Sequence, residues 1–134
     1  MTSGAHFLLV GDSTDLSTLQ TTVDRLPLNA YGQIFIEVAS ATQIRQWDVP
    51  ERMSLSWLCR DSASSTLGAV APRGELVARA VDAWVAEWIP EQHGERRTPY
   101  IMWIGCSASE RVTRLYCDLA RFADRIHLHH PHHD

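Results

Sequence analysis

Short apolar runs alternate with amphipathic stretches along this chain. The run "HFLLV" over 6–10 is apolar up to Gly11, the form of a short buried strand. In "DLSTLQTTVDRL" the residues Leu16, Leu19, Val23 and Leu26 recur at spacings of three and four, which is one helical face, and Pro27 follows its end. "QIFIEVA" over 33–39 is β-branched and aromatic and predicts a second strand. Ser40 and Gln43 have capping-box spacing and predict one or two helical turns. "MSLSWL" over 53–58 alternates and predicts a third strand. Residues 61–73 are rich in Ser, Ala, Gly and Pro and read as a long loop.

The second half repeats the alternation. Leu76, Val77, Ala80, Val81, Trp84, Val85 and Trp88 give 74–88 a broad helical face, closed off by Pro90 and a polar stretch. "YIMWI" over 100–104 predicts a fourth strand. Ser107 and Glu110 have capping-box spacing ahead of a helix striped by Val112, Leu115, Tyr116 and Leu119. Residues 125–129 predict a fifth strand. Strands alternating with helices imply an α/β, three-layer, Rossmann-like fold on a five-stranded parallel sheet. The expected strand order is 3-2-1-4-5, in a single domain over 1–134 with a His-rich tail over 127–134.

That order has a chemical consequence. Ligands of such sheets sit beyond the carboxyl ends of the strands, where the strand order reverses. Two turns then face each other: "GDST" after strand 1 and "GCSAS" after strand 4. Each precedes a helix whose first N–H groups lack partners, which suits an anion. Gly11 permits close backbone approach, and Asp12 or Thr14 supplies a cap. Glu37, near the end of strand 2, is placed either for ribose hydroxyls or for solvent.

Composition narrows the classes. The formal charge is −4 at pH 7 with no block of basic residues, which argues against a nucleic-acid partner. No apolar run reaches membrane-spanning length. "MTSGAH" lacks the basic and apolar regions of a signal peptide, so a cytoplasmic location is the expectation. Cys59, Cys106 and Cys117 are widely spaced without a C-x-x-C and read as free thiols. Cys106, just ahead of a helix, sits where a thiol pKa is often lowered, but no paired His is apparent. The clustered histidines of the tail lack the fixed geometry of a physiological metal site, and no metal is expected.

The segments "LLVGDSTDLSTLQTTVDRLP", "IFIEVAS", "LSWLCR" and "MWIGCSAS", in this order over roughly 6–128, resemble the C-terminal domain of siderophore-interacting proteins. These are NAD(P)H-dependent ferric-siderophore reductases of the ferredoxin–NADP reductase superfamily. Their pattern is a strand, G-D-E-T-A-L, a helix ending in L-P, a strand ending in E-V, W-L-x-R, then W-x-A-G-E. The resemblance implies an NADP or NAD site formed by Gly11, Asp12, Ser13, Thr14, Arg60, Gly105, Cys106 and Ser107. Arg60 would lie near the adenosine end, where a guanidinium can clamp a phosphate.

Three departures stand out. The chain has no room for the family's flavin-binding barrel, so no flavin is expected in it, and hydride from NAD(P)H would need an acceptor elsewhere. The family's G-E is Cys106-Ser107 here, which removes a carboxylate expected near the nicotinamide. The tail "HLHHPHHD" replaces an aromatic and basic one.

Two readings follow. One is a detached redox subunit that presents NAD(P)H to a flavin domain on another chain for ferric-siderophore reduction. The other is a non-catalytic protein-interaction module that kept the fold and lost cofactor binding. Expected partners are a flavin-domain or siderophore-uptake protein, or a second copy in a homodimer. Trp84 and Trp88, four apart, share a helical face that is either core or, if the helix is only half covered, an exposed patch of the kind that marks an interface.

Overall fold

A computed structural model describes residues 5–63, 70–89, 100–106, 108–119 and 126–129. The strands are β1 (His6–Asp12), β2 (Tyr31–Val38), β3 (Met53–Cys59), β4 (Tyr100–Ile104) and β5 (Ile126–His129). They form one sheet in the order β3-β2-β1-β4-β5, and every neighbouring pair is parallel. The helices are α1 (Leu16–Asp24), α2 (Arg60–Ala63), α3 (Glu75–Trp88) and α4 (Glu110–Leu119). The fold is the α/β architecture that the alternating pattern predicts. None of the helices among the described residues is long and apolar enough to cross a membrane.

Side-chain alternation along each strand divides the core in two. Leu8, Val10, Met102 and Ile104 face α3 and α4, where Val77, Ala78, Val81, Val112 and Leu115 meet them. Leu9, Ile34, Ile36 and Val38 face the other way, against Leu19 and Val23 of α1. Each fully buried aliphatic contributes about 1.5–3 kcal/mol relative to exposure. The stretch over 39–52 closes the second side, with Trp47 and Val49 packed on that cluster.

Boundaries differ from the sequence reading in instructive places. β1 runs on through Gly11 and Asp12, because both pair with β2 at Ile36 and Glu37. The expected loop after β3 begins with the short helix α2. At 40–43 the Ser40 side chain bonds Thr42 rather than capping, and Gln43 alone reaches back, to Ala39 N at 2.6 Å. The cap of α4 is Ser109, whose Oγ accepts from Val112 N at 3.2 Å.

Of the two readings of the Trp84 and Trp88 face, the structure shows core. Trp84 is 4% exposed and donates its indole N–H to Gln33 Oε1 at 2.6 Å. Trp88, partly buried, packs edge-on against His6 with ring centroids 4.6 Å apart. His6, Tyr31 and Tyr100 begin three adjacent strands, so their rings gather at the amino end of the sheet with both indoles. Trp47, Trp57 and Trp103 pack partly buried on the α1 side. A face open between core and docking patch in one dimension is core in three.

Candidate functional site

The two turns predicted to meet do meet. β4 lies beside β1, and Gly105 N donates to Val10 O at 2.9 Å. Gly11, Asp12, Ser13, Thr14, Gly105 and Cys106 therefore share the carboxyl edge of the sheet. Arg60 follows β3 and reaches the same edge from the far side of β2. Ser107 lies outside the described residues.

Asp12 caps a 3-10 turn over Ser13–Asp15. Its Oδ1 accepts Thr14 N at 2.9 Å and the Thr14 hydroxyl at 2.5 Å. Asp15 completes the box by accepting Asp12 N at 3.0 Å. The same Oδ2 also accepts Cys106 N at 2.8 Å, 91 positions along the chain. One carboxylate thus ties the turn after β1 to the turn after β4.

Two glycines make room for it. A Cβ on Gly11 would stand 2.8 Å from Asp15 Cβ, and one on Gly105 would overlap the Asp15 carboxylate. Burial pushes the Asp15 carboxyl above the usual carboxylate range. Its two N–H donors oppose that shift, and the neighbouring Asp12 charge adds to it.

Cys106 is 1% exposed, with φ at 55°. Burial raises its thiol pKa, and the charges of Asp12, Asp15 and Glu37 raise it further. The thiol stays protonated, the reverse of what its position before a helix suggests. Asp12, Asp15 and Cys106 bring one donor atom each within 4.8 Å of one another. The carboxylates among them are already engaged by backbone N–H groups, Thr14 and Arg73.

A second carboxylate repeats the arrangement one strand over. Glu37 is 2% exposed, and its carboxylate is taken up by backbone donors rather than by solvent. It accepts Gly74 N at 2.8 Å on Oε1, and Leu76 N at 3.1 Å and Val77 N at 3.3 Å on Oε2. These are first-turn donors of α3, which no side chain of its own N-cap residue serves. Gly74 sits at φ 85°, and a Cβ there would run into Ser109. Arg60 Nε lies 3.8 Å from Glu37 Oε1, and its Nη1 donates to Ala71 O at 3.4 Å.

Between these clusters lies a cavity of about 130 Å³, with Asp12, Ser13, Glu37, Gln43, Arg60 and Arg73 in its wall. Arg73 is half-exposed and holds Asp12 at only 3.5 Å. Among the described residues, both guanidiniums keep N–H groups beyond these long contacts. Sequence reasoning singled out Arg60 and missed Arg73, Asp15 and the role of Glu37. Asp15 and Glu37 act across the fold, on donors far away in the chain.

The chain matches the siderophore-interacting protein family over residues 4–124. No curated protein matches it. Its fold is similar to that of a siderophore utilization protein from T. fusca, at 22% identity and a TM-score of 0.62, covering 97% of this chain and 45% of that one. The siderophore-interacting protein SipS from Aeromonas hydrophila is similar at 18% identity and a TM-score of 0.58, with 97% and 51% covered. A siderophore-interacting protein from Acinetobacter baumannii is similar at 14% identity and a TM-score of 0.57, with 97% and 46% covered. The chain spans about half the length of these structures. With motifs, strand order and family match in agreement, this chain belongs to the siderophore-interacting protein family.

Proposed function

We propose that this chain is a non-catalytic interaction module of siderophore-iron handling, which keeps the architecture of a nicotinamide-nucleotide domain with its phosphate donors closed. One observation carries the reading: buried carboxylates of the chain itself hold the backbone N–H groups at the site. Asp15 takes Asp12 N and Cys106 N, and Glu37 takes Gly74, Leu76 and Val77 N. A dinucleotide phosphate needs such donors and is repelled by carboxylates beside them. In this reading the chain holds neither NADP nor NAD. The partner in this reading is a flavin-domain or siderophore-uptake protein.

The detached redox subunit is the second reading, and Arg60 and Arg73 are what favours it. Their spare N–H groups suit the adenosine-side phosphate of a nicotinamide nucleotide. Calorimetric titration with NADPH and NADH separates the two. The module reading expects no saturable heat up to millimolar cofactor. Saturable binding that is lost in Arg60→Ala and Arg73→Ala would overturn it in favour of the redox subunit. Light scattering with a flavin-loaded reductase half tests the partner, and a mixture that never exceeds the separate masses counts against that half as the occupant.

A further inference from the structure

We infer that His6, Gln33 and Trp84 form an acid-operated latch at the amino end of the sheet, and that a second proton on the His6 ring releases the C-terminal end of α3. This corner lies at the opposite edge of the sheet from the candidate site, so the latch acts whatever that site holds.

The hydrogen bonds fix the state of the imidazole. Gln33 Oε1 accepts the Trp84 indole N–H at 2.6 Å and lies 2.9 Å from His6 Nε2. An indole nitrogen only donates, so the Gln33 atom it meets must be the carbonyl oxygen. That oxygen only accepts, so His6 Nε2 must donate to it as well. The neutral ring therefore carries its hydrogen on Nε2 and leaves Nδ1 bare. Among the described residues, Nδ1 has no hydrogen-bond partner.

The surroundings offer nothing to a second proton. His6 is 4% exposed. Tyr31 of β2 and Tyr100 of β4 pack against it with ring centroids 4.7 and 5.5 Å away, and Trp84 and Trp88 of α3 at 5.1 and 4.6 Å. Among the described residues, the titratable and charged groups at this cluster are the two phenols and Arg52, whose guanidinium stands 5.5 Å from the Tyr31 ring centroid. None is a carboxylate, and Arg52 would repel an imidazolium. A proton on Nδ1 would bury an unpaired charge. Burial accordingly holds the His6 pKa below its ordinary value, against the bond to Gln33.

The same groups fasten one end of α3. Trp84 is bonded to Gln33, and Trp88 O accepts the Tyr100 hydroxyl at 2.6 Å. The other end is fastened separately, by Glu37 at Gly74, Leu76 and Val77. An opening that hydrates His6 can thus stay confined to the Trp84–Trp88 end while the first turn holds.

Histidine nitrogen NMR on the full, unaltered chain reads the tautomer at neutral pH. The Nε2–H form is expected, with Nδ1 taking the proton on acidification, and an Nδ1–H form overturns the inference. Hydrogen-exchange protection factors follow the opening. As pH falls from about 6.5 toward the lowered native pKa, protection of the Trp84 indole and the Trp88 amide should drop by as much as about tenfold per pH unit, while Ala78 keeps its protection. A uniform loss along α3, or none at Trp84, overturns the latch. Gln33→Glu separates a switch from a plain structural contact. Its carboxylate accepts the same two N–H groups and pairs with an imidazolium, which raises the His6 pKa. Protection at Trp84 should then rise as pH falls through that raised value toward about 6.5. A fall like that of the unaltered chain overturns the inference. Should Gln33→Glu not fold, His6→Phe decides: protection at Trp84 loses its dependence on pH in this range if the latch is right and keeps it if the latch is wrong.

Discussion

Replacing Glu37 by alanine tests how a buried acid is used in this fold. Glu37 is 2% exposed and serves Gly74, Leu76 and Val77 N, with Arg60 at 3.8 Å. A hydrogen bond to a charged group is worth about 1.5–3 kcal/mol, and the three share one carboxylate, so they do not add fully. Loss of an N-cap alone costs about 0.5–2 kcal/mol. Here Gly74 N and Val77 N are buried, so water does not replace the lost acceptor freely. Leaving buried polar groups unpaired raises the cost, and breaking a buried pair runs to about 3–5 kcal/mol.

The expected loss for Glu37→Ala is therefore about 3–5 kcal/mol, against about 1–3 for Glu37→Gln. Glutamine keeps one acceptor oxygen, but its NH₂ would face N–H donors. Urea unfolding followed by circular dichroism and tryptophan fluorescence measures both variants, with an unchanged m-value as the control for two-state behaviour. A loss below about 1 kcal/mol for the alanine variant would refute the reasoning, because that is within reach of an ordinary exposed cap.

Gly105→Ala should destabilise the chain by about 1–3 kcal/mol through overpacking against Asp15, and Asp15→Ala should relieve much of that loss in a double-mutant cycle. Additive losses would show that the two side chains do not compete for one space. His6 is buried among aromatic rings, and burial lowers its pKa below 6.5, opposed by its bond to Gln33. Native His6 therefore stays neutral where unfolded His6 protonates, so its contribution is complete above about pH 6.5 and declines as pH falls through the lowered native pKa. Urea midpoints at about pH 7.5 and about pH 5.5 should differ less in His6→Phe than in the unaltered chain, and an identical pH dependence would contradict this. Alkylation of the folded chain at neutral pH should modify exposed Cys117 and spare buried Cys106, as read by peptide mass spectrometry. Modification of Cys106 ahead of Cys117 would refute the protonated, buried thiol.

The parts legible in the sequence are those set by local pattern. Apolar runs such as Phe7–Val10 and Ile34–Val38, separated by amphipathic stretches, specify strands and helices in a parallel sheet, and the expected order β3-β2-β1-β4-β5 is the one observed. The convergence of the Gly11 and Gly105 turns follows from that order. The hidden parts are the long-range ones. Asp15 reads locally as a capping residue, and nothing near it announces a bond to Cys106. Glu37 carried a usable signal. In a parallel strand covered on both faces, an acid among Phe35, Ile36 and Val38 must be buried, and a buried carboxylate needs donors. Helix N-termini supply them. Trp84 stayed open in the sequence, since its helical face fits core as well as it fits an interface, and the structure buries it.

The carboxylates of Asp15 and Glu37 hold donors at the carboxyl edge of the sheet. The most direct measurement is an amide-resolved NMR titration of the unaltered chain with NADPH, following Asp12, Gly74, Leu76, Val77 and Cys106. With these donors held, the amides should keep their positions up to millimolar cofactor. Saturable shifts at Asp12 and Cys106, or at the first turn of α3, would contradict it.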